Sequence, residues 1–191
     1  MKRNSLLTLA ILTGKLLLVF NVLMFLILTY FLIHVQVSPE RYAGKKFSVM
    51  RTAESALTYS RTEHWGHAKP TVANTIAMSE VTRTSLYFNY VQLTAILVLI
   101  FIIIQEFLSV IRSVRSVETF RGSNVKAFRK MGLWLFLLFL ASGFSSISTE
   151  FMNHQTIYLR ITPLILMLLS YVMAEIFKEG NELSEENQLT I

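Results

Sequence analysis

The sequence predicts an all-α integral membrane protein, a four-helix transmembrane bundle with one larger extracytoplasmic loop. Three observations predict it. The apolar residues, 53% of 191, fall into long blocks, and the mean hydropathy is positive at +0.50. The charges lie between the blocks. Between the two middle blocks, Arg112, Arg115, Arg121, Lys126, Arg129 and Lys130 are opposed only by Glu118, the excess of base that short cytoplasmic loops carry. A helix satisfies its own backbone hydrogen bonds in hydrocarbon and needs about 20 residues to cross it.

Taken in order, the spans are expected at about 10–34, 88–111, 131–147 and 157–177, in a single membrane domain covering 1–191. They are joined by an outer loop, 35–87, and an inner loop, 112–130, and followed by a cytoplasmic tail, 178–191. Lys2 and Arg3 precede an apolar run, Leu6–His34, that is too long for a signal peptide and lacks a small-residue cleavage site. It reads as an uncleaved first span. Charge density at the span ends places both termini in the cytoplasm of a plasma (cytoplasmic) membrane. The outer loop is less one-sided in this respect, because it holds seven bases and four acids.

Within the outer loop, Phe47–Met50 is expected as a short strand. Thr52–Tyr59 and Val72–Val81 show helical spacing. Tyr42, Phe47, Tyr59 and Trp65 would pack a small cap or anchor at the interface. Span three changes character along its length. Bulky Leu133–Phe136 gives way to Ala141, Ser142, Gly143, Ser145, Ser146 and Ser148, which reads as a close-packing seam between helices rather than a polar cavity.

Ionisable residues inside the apolar blocks are few. Glu106 near the inner end of span two and Lys15 at similar depth in span one are expected to pair, since a lone carboxylate there is costly. His34, His64, His67 and His154 all fall on the outer side; two histidines three apart do not make a metal site without further ligands. The chain has no cysteine and no aspartate, which removes thiol chemistry and aspartate dyads. It has no HExxH, Gly-x-Ser-x-Gly or phosphate-loop motif either. No enzyme activity, cofactor or metal is expected. The charge of +6 is read as attraction to anionic lipid rather than to nucleic acid.

Two cytoplasmic segments remain. In the inner loop, SVETFRGSNVKAFRKMG, Ser123 or Asn124 is placed to cap a helix that continues into span three. In the tail, Glu175, Glu179, Glu182 and Glu186 recur at helical spacing, with Leu183 and Phe177 as apolar contacts. Basic loop and acidic tail are therefore expected to form a clasp. Its surface is Phe120, Asn124, Arg129, Glu175, Glu179, Leu183, Glu186, Asn187 and Leu189, open to competition from a protein partner.

FRGSNVKAFRKMG and AEIFKEGNELSEENQLTI resemble the inner-loop and C-terminal motifs of the DUF2975 family, at Phe120, Asn124, Arg129 and Gly132, then at Glu175, Phe177, Gly180, Leu183, Glu186, Asn187, Leu189 and Thr190. The resemblance implies a small four-span bacterial membrane protein. Genes of that family often lie beside one for a short helix-turn-helix regulator, which implies a membrane partner of a transcription factor. The leading expectation is a non-enzymatic membrane protein that presents the basic loop and acidic tail to such a cytosolic regulator, in signalling by protein–protein interaction. The alternatives are an accessory or immunity-like subunit that binds another membrane protein, and a small-solute transporter or channel-forming oligomer.

Overall fold

The computed structural model describes residues 2–42, 44–48, 57–65, 75–116 and 122–189. The chain is mainly helical: α1 is Lys2–Val37, α2 Arg83–Arg115, α3 Gly122–Ser142 and α4 Ile161–Leu189. Five short strands accompany them among the described residues: β1 Lys46–Ser48, β2 Leu57–His64, β3 Thr75–Ala77, β4 Phe144–Ser148 and β5 Met152–Leu159. Among the described residues, three helical stretches are long and apolar enough to cross a membrane: Ser5–Val37, Arg83–Arg115 and Ile161–Glu186. The third helix, α3, is 21 residues long and carries Lys126, Arg129 and Lys130 in its first half.

The exposure of α1 fits a helix solvated by lipid. Leu9, Leu16, Phe20, Ile27 and Ile33 are exposed. Its less exposed positions include Leu7, Ile11, Gly14, Leu18, Asn21, Phe25, Leu28, Leu32 and Val35. They recur alternately four and three apart, the 3.5-residue stripe of a helix packed along a narrow seam.

The chain divides into two compact units. One comprises 1–23, 97–139 and 162–191, the other 24–96 and 140–161. In the first, α2 uses two faces. Leu108 and Ile111, with Ile104 beside them, pack on Ile11, Leu7, Ala10 and Leu18 of α1. Val110, supported by Val114, joins Val125, Ala127, Phe128 and Met131 of α3 and Ala174 and Phe177 of α4. Gly14 and Gly132 permit the close approaches. A Cβ at Gly14 would lie 2.5 Å from Leu108 Cδ2, and one at Gly132 would lie 2.8 Å from the Tyr171 ring.

The second unit holds the strands. β1 pairs with β3 antiparallel, and β2, β5 and β4 form an antiparallel sheet in that order. The register sets Leu57 opposite Leu159 and His64 opposite Met152, and Phe144 opposite Ile157 on the other edge. Thr82 caps α2: its Oγ1 accepts the Ser85 N–H at 3.3 Å, as an N-cap hydroxyl does. Its own N–H and hydroxyl donate to Ser148 O at 2.9 and 3.2 Å.

These strands correct the all-α expectation. The helix expected to run to 147 stops at Ser142, and the seam of serines beyond it is β4. Gly143 breaks the helix, and its carbonyl accepts from Tyr158 N–H at 2.7 Å. The carbonyls freed there find donors on α2: Gln92 Nε2 serves Ala141 O and Phe144 O, and Asn89 Nδ2 serves Ser146 O at 2.8 Å. The last span is expected from 157, yet Ile157–Leu159 ends β5 and α4 begins at Ile161. Pro163 then stands in its first turn, where a missing N–H costs nothing. Upstream, β1 covers the start of the expected strand, with 49–50 outside the described residues. The helix expected over 52–59 is strand from Leu57 on, with 52–56 also outside. The one expected over 72–81 is β3 followed by a 3-10 turn, Met78–Glu80, with 72–74 likewise outside.

Candidate functional site

The basic and acidic segments meet at a root built by the end of α2, the start of α3 and the later half of α4. Alternation of Val125, Phe128 and Met131 at helical spacing turns one face of α3 onto Ala174 and Phe177. The Phe128 and Phe177 rings lie 5.0 Å apart at 56°. At the margin, Arg129 Nη2 donates to Glu175 Oε1 at 2.8 Å, with both side chains about half exposed. The apolar contact carries most of the stability of this root, since an exposed ion pair contributes about 0–1 kcal/mol.

Glu106 has a different cation from the one expected. Its Oε1 lies 3.7 Å from Lys130 Nζ, and Lys15 is exposed and makes no ion pair with it. The reason is rotational. The α2 face that meets α1 carries Leu108, and Glu106, two residues earlier, is turned roughly 200° from it at 3.6 residues per turn. That puts Glu106 on the side of Val110 and Val114, which pack with α3 and α4.

Asn124 is not a helix cap. It is buried inside α3, and its Nδ2 donates to Ser113 Oγ at 2.9 Å, tying the start of α3 to the end of α2. Beyond Phe177 the tail continues as part of α4. Glu179, Glu182, Glu185 and Glu186 are exposed, as is Leu183. Local pairs brace it: Lys178 with Glu182 at 3.7 Å, and Asn181 donating to Glu185 at 2.7 Å. The clasp residues Arg129 and Glu175 are thus brought together, whereas Glu179, Leu183 and Glu186 stand exposed on α4. Phe120 and the side chains of Asn187 and Leu189 lie outside the described residues. Arg112, Arg115 and Lys126 are exposed cations on the same helix ends.

In the other unit, sequence reasoning misses a polar face of α2. Ser85, Asn89 and Gln92 recur at helical spacing, and all three bond the α3–β4 connection: Ser85 Oγ accepts Ser148 N–H at 3.1 Å. Their shared face is the available signal. His154 sits on the central strand, its Nδ1 2.8 Å from Thr62 Oγ1 and its Nε2 3.0 Å from Thr156 Oγ1. Burial lowers its pKa from the ordinary imidazole value. His34 Nδ1 meets Tyr42 Oη at 2.9 Å, and His67 lies outside the described residues. Among the described residues, no three His, Asp or Glu side chains gather as a metal would require.

Long apolar helices with lipid-facing exposure, joined by a small sheet and a charged root, define a membrane protein. The family profile DUF2975, described as a protein of unknown function, matches residues 63–191. The match takes in α2, α3, β4, β5 and α4, more than half of the chain, and the chain belongs to that family. No curated protein and no solved structure matches it.

Proposed function

We propose that the protein is a four-span bacterial plasma-membrane protein, with both termini in the cytoplasm, whose α3–α4 root and acidic α4 extension form a docking surface for a cytosolic regulator. Strand pairing supports four crossings. β2 follows α1 and precedes α2, while β4 and β5 follow α3 and precede α4, yet all three share one sheet. A chain that leaves that sheet through a membrane-crossing α2 must cross again before β4, and α3 is the helix available. Its 21 residues are about 31 Å long. The uncharged part, 131–142, covers about 18 Å of a hydrocarbon core of about 30 Å. Local bilayer thinning, with the stems of Arg129 and Lys130 reaching the interface, makes up the rest. Orientation rests on the bases around 112–130.

The single observation that carries the function is the end of α4. The helix runs unbroken for 29 residues, about 43 Å, beyond Phe177, which packs in the core of the root. It presents exposed Glu179, Glu182, Leu183 and Glu186. An apolar residue among acids on a projecting helix suits a groove with a basic rim. The chemistry agrees with a helix-turn-helix regulator, whose DNA-binding face is basic. A chain ending at Gly180 is expected to insert normally and to lose its cytosolic partner on affinity purification in mild detergent. Retention of the same partner by the shortened chain would refute this reading.

A second reading, an accessory subunit of another membrane protein, draws on the sheet. Leu57, Tyr59, Trp65 and Phe151 are large, apolar and exposed there. It predicts a partner that survives loss of the tail and is lost on Tyr59→Ser with Trp65→Ser.

A further inference from the structure

Within the second unit, α1 and α2 touch through Thr29 and Tyr90 and leave an apolar cavity beside that contact. Leu28, Leu32 and Val35 of α1 face Leu86, Tyr90 and Leu93 of α2 across a half-open cavity of about 370 Å³, covered by Met78, Val81 and Ile147. Such a space leaves its lining atoms without partners, and apolar walls hold water poorly. It lies within the size range of ligand pockets.

We infer that this cavity is a binding site for a single alkyl chain, the acyl tail of a lipid or fatty acid. The lining decides the chemistry. Among the described residues, no charged side chain borders the cavity, and its two polar residues are engaged elsewhere. Asn89 Nδ2 donates to Ser85 O and Ser146 O, each at 2.8 Å, and the Tyr90 hydroxyl lies 3.1 Å from Thr29 Oγ1. A headgroup would find no ion among these lining residues, so the recognised part is hydrocarbon. The volume suits one chain rather than the body of a two-chain lipid. Access is from the lipid side: Phe31 borders the cavity while 39% exposed, and its neighbours Tyr30 and Ile33 are exposed too. Met78 supplies an adaptable wall, as an unbranched thioether does. The inference rests on α1 and α2 lying in a bilayer and is independent of what the α4 extension binds.

The test uses the full chain purified into phospholipid nanodiscs and a palmitic acid probe carrying a diazirine in its chain. Photolabelling is expected to concentrate on Phe31–Val35 and Leu86–Leu93 and to fall about tenfold when unlabelled palmitate is added at roughly ten times its dissociation constant. Leu32→Trp, which fills the cavity, is expected to reduce labelling to a similar degree. Leu26→Trp, on the exposed side of α1, is expected to leave it unchanged. Labelling that is not competed and spreads along exposed positions such as Leu16 and Leu168 would mean contact with bulk lipid only and would overturn the site. So would competed labelling that maps elsewhere. Competition on the unaltered chain decides the matter even if Leu32→Trp does not fold. Release of the chain from membranes by alkaline carbonate would instead overturn the membrane reading itself.

Discussion

Gly14 shows how much one missing methyl group governs. Leu108 is 1% exposed and fills the space a side chain at Gly14 would need. Overpacking of this kind costs about 1–3 kcal/mol. Gly14→Ala is expected to destabilise the detergent-solubilised protein by that amount, read as a lowered thermal midpoint. In a Leu108→Ala background the same change is expected to cost much less, because the clash is gone, and the difference between the two measures the contact. His154 ties stability to pH. Its pKa is lowered by burial, so the folded chain binds fewer protons than the unfolded one as pH falls below about 6.5. Its contribution to stability is therefore complete above that pH and declines below it, through the folded pKa. Thermal unfolding at pH 7.5 and pH 5 is expected to show this decline in the native chain and a smaller one in His154→Gln.

Among the elements, the contact between α3 and α4 separates charge from packing. Arg129→Ala is expected to cost under about 1 kcal/mol, whereas Phe128→Ala, which empties the space against Phe177, is expected to cost about 3 kcal/mol or more. Chemical unfolding of the two variants checks the ranking. The helices are legible in the sequence because hydrophobic blocks and basic loops are strong signals. The faces of α2 are legible too: Ile104, Leu108 and Ile111 on one side, against Glu106, Val110 and Val114 on the other, follow from spacing alone. Pairing Glu106 with Lys15 uses depth without rotation, and so misses Lys130. The strands are harder. Ser145, Ser146 and Ser148 have the small side chains of a helix seam, and only the partner strand, with β-branched Thr156 and Ile157, makes them a sheet. That partner comes from a different stretch of sequence, which local spacing does not reveal. Gly143 and Pro163 are the local marks of where helices end and begin.

At the scale of the whole molecule, the absence of cysteine makes topology directly measurable. Single-cysteine variants Ser123→Cys and Thr62→Cys have no background. In intact cells, a membrane-impermeant maleimide is expected to label Thr62→Cys and to reach Ser123→Cys only after permeabilisation; the opposite pattern would reverse the orientation. The family match begins at residue 63, so α1 lies outside it. Even so, α1 supplies the stripe from Leu7 to Val35 and one wall of the alkyl-chain cavity.

The pairing of β2 with β5 also sets an order of events during synthesis. Residues 57–64 leave the ribosome long before 152–159, to which every one of them is matched. Contacts so distant along the chain close late, and during translation β2 waits without its partner strand until α2, α3 and β4 have been made. A nascent chain stalled before Met152 therefore lacks the partner strand of β2, and it is expected to expose 57–64 to protease that the finished protein resists.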